Sequence, residues 1–187
     1  MSDKKIPATK VVTGKARLSY VHVFEPYAFD SDPDKQQYSV CILIPKTDKD
    51  TLGRIKAALE AAKQDGMKKK WGGKVPAKMW NPVRDGDEEH PEDEAFVGHY
   101  YLNAKSKQKP GVVDANLNPI IDPEELYSGC YGRASVTFFP FSAAGNNGIG
   151  CALNNIQKLA DGEALSTRAS AQDDFGDGET DNDEYEF

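Results

Sequence analysis

The chain has 187 residues, of which 39% are apolar, with 23 basic and 30 acidic side chains giving a net charge of −7. That length suits one domain or slightly more. No stretch reaches the eighteen or more apolar residues that a spanning helix needs, and no apolar signal segment follows Met1, so a cytoplasmic location is expected.

The first nine residues read as a polar arm. From Lys10 to Phe24 the residues alternate, with Ala16, Leu18, Tyr20, His22 and Phe24 on one face and Lys15, Arg17 and Ser19 on the other, the period of a β-strand. Pro26 to Lys35 is turn-rich. Gln37 to Ile44 is a second strand, and its nearly continuous apolar run predicts burial on both faces. Leu52, Ile55, Leu59 and Ala62 then make one helical stripe. Thr47 or Asp48 is available as N-cap and Gly66 as the end or a weak point.

Gly72 to Glu94 reads as irregular, basic in its first part and acidic from Asp85 to Glu94. Val97 to Ser106 alternates again, with Tyr100, Leu102 and Ala104 on one face and His99, Tyr101, Asn103 and Lys105 on the other. Gly111 to Asp114 is a short pairing segment. Gly129 to Phe141 is a long strand with Cys130, Ala134, Val136 and Phe138 on one face and Tyr131, Arg133, Ser135 and Thr137 on the other. The turn Gly145-Asn-Asn-Gly148 returns the chain through Ile149 to Leu159. The pattern predicts a mostly β domain over residues 1–165, a small antiparallel barrel or sheet with one main helix and long loops. Residues 166–187 have the composition of a disordered tail. From Asp173 to Phe187 there are eight acidic residues and no basic one, so the body, with 23 basic and 22 acidic residues, is close to neutral.

Catalytic and metal signals are weak. Cys41, Cys130 and Cys151 form no CxxC pair and sit in apolar strands, as buried thiols of a reducing compartment do. His22, His90 and His99 are not spaced as metal ligands. The glycines of 145–150 precede no Lys-Ser/Thr, so they form no phosphate loop. Neither a cofactor nor a metal is expected, and the chain reads as a non-enzyme.

Cations interleaved with rings carry the functional signal. Single strands offer phosphates and unpaired base faces, which cations and aromatic side chains engage without reading sequence. The candidate DNA-binding residues are Lys15, Arg17, Lys68, Lys69, Lys70, Tyr101, Lys105, Lys107, Lys109, Tyr131, Arg133 and Phe139. Trp71, Trp80, Tyr20 and Phe24 are expected in the core. The tail alternates acids, which imitate phosphates, with rings, which imitate bases. Its last residues, Asp181, Asp183, Glu184, Tyr185, Glu186 and Phe187, are the candidate partner-binding segment, able to occupy the protein's own groove or to dock on partner enzymes. Two other readings stay open. One is a metal-dependent nuclease using Asp114, Asp122, Glu124 and Glu125. The other is an acidic DNA mimic.

Three stretches carry a resemblance to phage-encoded single-stranded DNA-binding proteins: Gly14-Lys-Ala-Arg-Leu-Ser-Tyr20, Tyr100 to Ser106 with Lys109 to Asp114, and Leu126 to Ser135 followed by Gly148 to Lys158. The resemblance implies an OB-fold barrel without catalysis, binding single strands in phage replication or recombination within the bacterial host cytoplasm. The tail resembles those through which such proteins recruit replication enzymes. Homo-oligomerisation is left open. The standard OB order places its helix after three strands, whereas two long strands precede Leu52 here; either the first strand bends to serve twice or the fold is a variant.

Overall fold

The computed structural model describes residues 7–28, 36–143 and 145–165. In chain order the elements are β1 (Lys10–Val12), β2 (Ala16–Tyr27), β3 (Gln37–Pro45), α1 (Lys49–Lys69), β4 (Val83–Asp85), α2 (Gly86–Glu89), β5 (His99–Ser106), β6 (Gly111–Val113), β7 (Tyr131–Ala143) and β8 (Asn146–Ala160). Both the polar arm up to Ile6 and the tail from 166 to 187 lie outside the described residues.

The strand pairings run once around a ring, β2–β3–β5–β8–β7 and back to β2. All joins are antiparallel except β5–β8, where the bridge Lys105–Ala152 is parallel. Two seams are thin: that bridge, and the β2–β7 pairs Ala16–Gly132 and Arg17–Tyr131. The result is a partly open five-stranded barrel of the OB type. β1 extends the sheet beside β7, β6 beside β8 and β4 beside β5. The helix lies between the second and third ring strands, so the fold is a variant of the usual order. β2 also bends, pairing β7 at its start and β3 beyond, with register shifts between Ser19 and His22 and between His22 and Tyr27.

The alternation seen in the sequence fills the barrel. Leu18, Val40, Ile42, Ile44, Leu102, Ala104, Ala134, Val136, Phe138 and Ile156 are buried in one cluster. Full burial of a side chain such as Phe138 stabilises the fold by roughly 1.5–3 kcal/mol. α1 packs across β7, β1 and β8. The Asp48 carboxylate caps it by accepting from the Thr51 N–H. Gly66 does not end the helix, which runs on to Lys69. Instead the ring of Trp71 folds back onto Gly66, where a Cβ would collide with it, and donates its Nε1–H to the Phe141 carbonyl at 3.2 Å.

The alternation of β2 fails at one point. Ala16 and Leu18 face the core as expected, but Tyr20 takes φ 47° at the first register shift and is 58% exposed, while Val23 enters the core. An irregularity in a strand of period two changes which face its later residues occupy. The segment read as irregular also carries order, namely β4 and α2. Among the described residues no helix is long and apolar enough to cross a membrane.

Candidate nucleic-acid interface

Residues directly opposite in a sheet share a face, so the strand register defines what β2, β3 and β5 present outward. One row runs Arg17, Leu43, Tyr101 and Arg84 of β4. The next runs Ser19, Cys41 and Asn103. A third runs His22, Ser39, Lys105 and Ala152 of β8.

The first row is covered. Residues 85–98 fold over it, and Ala95 and Phe96 pack on Cys41, Leu43 and Tyr101, which explains why β3 is apolar on both faces. Lys46 clamps this cover: its Nζ lies 2.7 Å from Asp85 Oδ1 and 2.7 Å from Asp87 Oδ2, and 4.9 Å from the Tyr100 ring centroid. Hydrogen bonds from Lys46 hold both carboxyls below the usual aspartate range and raise its own pKa. Glu89 accepts from Arg84 and from the Tyr101 hydroxyl, and both bonds lower its pKa. Three acids of the run thus have cationic partners within the fold.

Beyond the cover an open groove of about 300 Å³ is lined by Gln37, Asn103, Lys105, Trp80, Arg84 and Phe139. Trp80 is 54% exposed and Phe139 43%. The hairpin holds Trp80 through its backbone. Its N–H donates to the Asn147 carbonyl at 2.9 Å, and its carbonyl accepts from the Ile149 N–H at 3.0 Å. Gly148 permits this approach, since a Cβ there would fall on the Trp80 backbone. Phe139 pairs with Gly150, and its ring occupies the space a Cβ at 150 would need. The Arg84 guanidinium sits 4.0 Å from the Trp80 ring centroid, a cation–π contact. The groove therefore offers two open rings with cations beside them, the combination that binds bases and phosphates together.

A second cavity, of about 350 Å³, lies at the other end of the second and third rows, between the β2 bend and the cover. It is lined by Ser19, Tyr20, His22, Asp93, Phe96 and Ser128, with Leu165 as a further wall. His22 stacks on Tyr27 with centroids 4.3 Å apart and planes 9° from parallel. Burial lowers the His22 pKa, favouring the neutral ring.

The sequence matches the family described as "Enterobacter phage Enc34, ssDNA-binding protein" over residues 9–185. The chain belongs to this family. It is 31% identical over 167 residues to "Putative protein p50" of Acyrthosiphon pisum secondary endosymbiont phage 1, covering 84% of this chain and 86% of that one. The fold superposes on the single-stranded DNA-binding protein from bacteriophage Enc34 in complex with ssDNA with a TM-score of 0.71 and 25% identity, over 85% of this chain and 90% of the other. The single-stranded DNA-binding protein encoded by bacteriophage T7 shares the fold with a TM-score of 0.60 at 16% identity, over 95% and 98% of the two chains.

Within this Enc34-type barrel the residues singled out from sequence fall into separate groups. Lys105 and Phe139 line the groove together. Lys107 and Lys109 are exposed on the turn that follows β5. Lys68, Lys69 and Lys70 are exposed at the end of α1 and do not line the groove. Tyr131 sits between Lys15 and Arg17, whose cationic atoms lie 5.1 and 5.7 Å from its ring centroid. Arg17 also donates to the Gly129 and Glu163 carbonyls, strapping the segment after β8 to the barrel. Arg133 donates to the Thr13 carbonyl beside β1.

The structure corrects three placements. Tyr101 is only 5% exposed beneath the cover, so its ring is not open for stacking. Trp80 and Tyr20, expected in the core, are exposed. Sequence patterns missed Trp80 and Arg84 because a segment without period two or 3.6 gives no face assignment. The glycines facing Trp80 and Phe139 were the available signal. Asp181, Asp183, Glu184, Tyr185, Glu186 and Phe187 lie outside the described residues.

Among the described residues no cluster of three or more His, Cys, Asp or Glu side chains is placed to hold a metal. Asp114 and Asp122 instead turn their carboxylates onto backbone N–H groups of their own loops. The three thiols are buried, and desolvation pushes Cys41 and Cys151 up to about 12.

Proposed function

We propose that the protein binds single-stranded DNA in the groove between Trp80 and Phe139, in support of phage replication or recombination and without catalysis. The observation that carries this reading is the pair of exposed rings held beside Arg84 and Lys105 on an open face of the barrel. Membership of the Enc34 family and the likeness to a relative solved with ssDNA support it. Stacking and phosphate contacts are available from every sequence, so affinity follows strand length and salt more than base order. The Lys46 clamp supports the reading too, because it ties Asp85 and Asp87 into the cover and away from the phosphate path.

The tail, residues 166–187, takes the part of a competitor and a recruiter. Its acids and rings match the groove's cations and rings, and tethering raises its local concentration to about millimolar. Displaced by DNA, it is available to basic pockets of replication enzymes. Fluorescence anisotropy with a labelled oligothymidine tests both parts, using the full chain and a chain ending at Gln172 at two salt concentrations. Binding by both, tighter for the shortened chain, supports the proposal. Absence of binding by either at low salt overturns it and returns the acidic-mimic reading.

A further inference from the structure

Asp93 faces the second cavity, in company with the side chains of Ser19, Tyr20, His22, Phe96 and Ser128. The cavity belongs to the same outward surface as the groove. Lys105 of the groove leads through the half-buried Ser39 to His22, while Cys41, between Asn103 and Ser19, lies beneath the cover. The open path crosses two strand spacings, roughly 10 Å. A strand engaged by Trp80 and Phe139 and continuing across β5 and β3 therefore arrives at this cavity.

The chemistry there differs from that of the groove. Among the described residues no basic side chain forms an ion pair with Asp93, unlike Asp85, Asp87 and Glu89 of the same cover. Asp93 Oδ1 accepts from the Ala95 N–H at 3.1 Å, which fixes the carboxylate's position and leaves Oδ2 with no partner among the described bonds. A carboxylate repels a phosphate but accepts from a base edge that donates. The rings of Tyr20 and Phe96 form apolar walls, and Tyr20 holds its exposed place through a backbone conformation unusual for a side chain of its size.

We infer that this cavity is a base-selective subsite, in which Asp93 accepts from the Watson–Crick edge of one unstacked nucleobase and favours guanine. Guanine presents two neighbouring donors, N1–H and the N2 amino group, to the two oxygens of a carboxylate. Thymine flanks its single N3–H with two carbonyl oxygens, which a carboxylate repels. Cytosine and adenine each offer one amino group beside a ring acceptor. Single-stranded bases are read on this edge when splayed from the stack. The subsite adds a preference at one nucleotide to a surface that otherwise binds any sequence, and it rests on the proposed binding of single strands.

The test is competition anisotropy on the full chain, with an oligothymidine and the same oligomer carrying one central dG, dC or dA. The wild-type chain is expected to prefer the dG oligomer to all-dT by about fivefold or more, the low end of what a paired base contact discriminates. Asp93→Asn keeps the Oδ1 acceptor for Ala95 and removes the charge. It should abolish the dG preference while still binding oligothymidine. Equal affinity of the wild type for all four oligomers overturns the inference while leaving single-strand binding intact. A dG preference that survives in Asp93→Asn overturns it as well. Failure of the full chain to bind any oligomer, at low salt, counts against the binding proposal on which the inference stands.

Discussion

Phe139 and Gly150 face each other across the β7–β8 hairpin, and the phenylalanine ring lies where any side chain at 150 would begin. The absent Cβ keeps the ring against the strand, at one side of the groove. Gly150→Val should displace the ring and weaken oligothymidine binding by about the value of one stacked base, roughly 1–3 kcal/mol. Anisotropy measures the loss. Wild-type affinity in a folded Gly150→Val chain would show that the ring's position is unimportant.

Lys105 stands in the groove on the row with His22 and Ser39. If it meets one phosphate, Lys105→Ala should lower the slope of log affinity against log salt by about 0.7, the increment for one phosphate on a single strand. The change should be the same for every base composition. An unchanged slope would remove Lys105 from the phosphate path.

Much of this arrangement is legible in the chain. The double-sided apolar run of Gln37 to Ile44 foretells a strand with a core beneath and a cover above, and the alternation of Tyr131 to Phe138 assigns both faces of β7 correctly. The legible part ends where position depends on distant pairing. Trp80 is fixed by a bridge to Gly148, far along the sequence, so its exposure has no local signature. Tyr20 follows the alternation in sequence but not in space, because a bulge leaves no mark on hydrophobic period. Tyr101 occupies the predicted face, yet Phe96 arrives from a segment without periodicity and covers it. The Gly145–Gly148 turn read from sequence is displaced: Asn146, Asn147 and Gly148 already pair with Ala143, Ser142 and Phe141, so counting outward from that turn sets Phe139 opposite Asn154 and misses its pairing with Gly150.

The Lys46 clamp gives a test that needs no DNA. Lys46→Met removes the cation shared by Asp85 and Asp87, so the cover over Cys41 should open more often. Cys41 should then react faster with an alkylating reagent, read by peptide mass spectrometry, while buried Cys151 serves as the internal reference. Equal Cys41 rates in both proteins would show that the clamp does not hold the cover.

Acid should open the same cover in the wild type. Asp85 and Asp87 have folded pKa values depressed below 3.8, so their contribution is complete above that value and is lost as pH falls through the folded pKa. Lys46 is raised above 10.5, so its contribution is complete below that value and is lost only as pH rises through the folded pKa. The clamp therefore stays closed between these limits. Amide exchange in residues 85–98, compared with the rest of the barrel, should show selective loss of protection below pH 3.8 in the wild type. The change should be smaller in Lys46→Met, which lacks the clamp at every pH and keeps only the Glu89 bonds to Tyr101 and Arg84. An acid response of the same size in both would assign it to other groups.

The most direct test of the central claim is oligothymidine anisotropy with Trp80→Ala, Phe139→Ala and the double variant, each in the full chain. Both rings are largely outside the core, so thermal unfolding should move little. Each single change is expected to weaken binding by roughly 1–3 kcal/mol, and the double change by more than either. A folded double variant that binds oligothymidine as tightly as the wild type would contradict the assignment of this groove to the DNA.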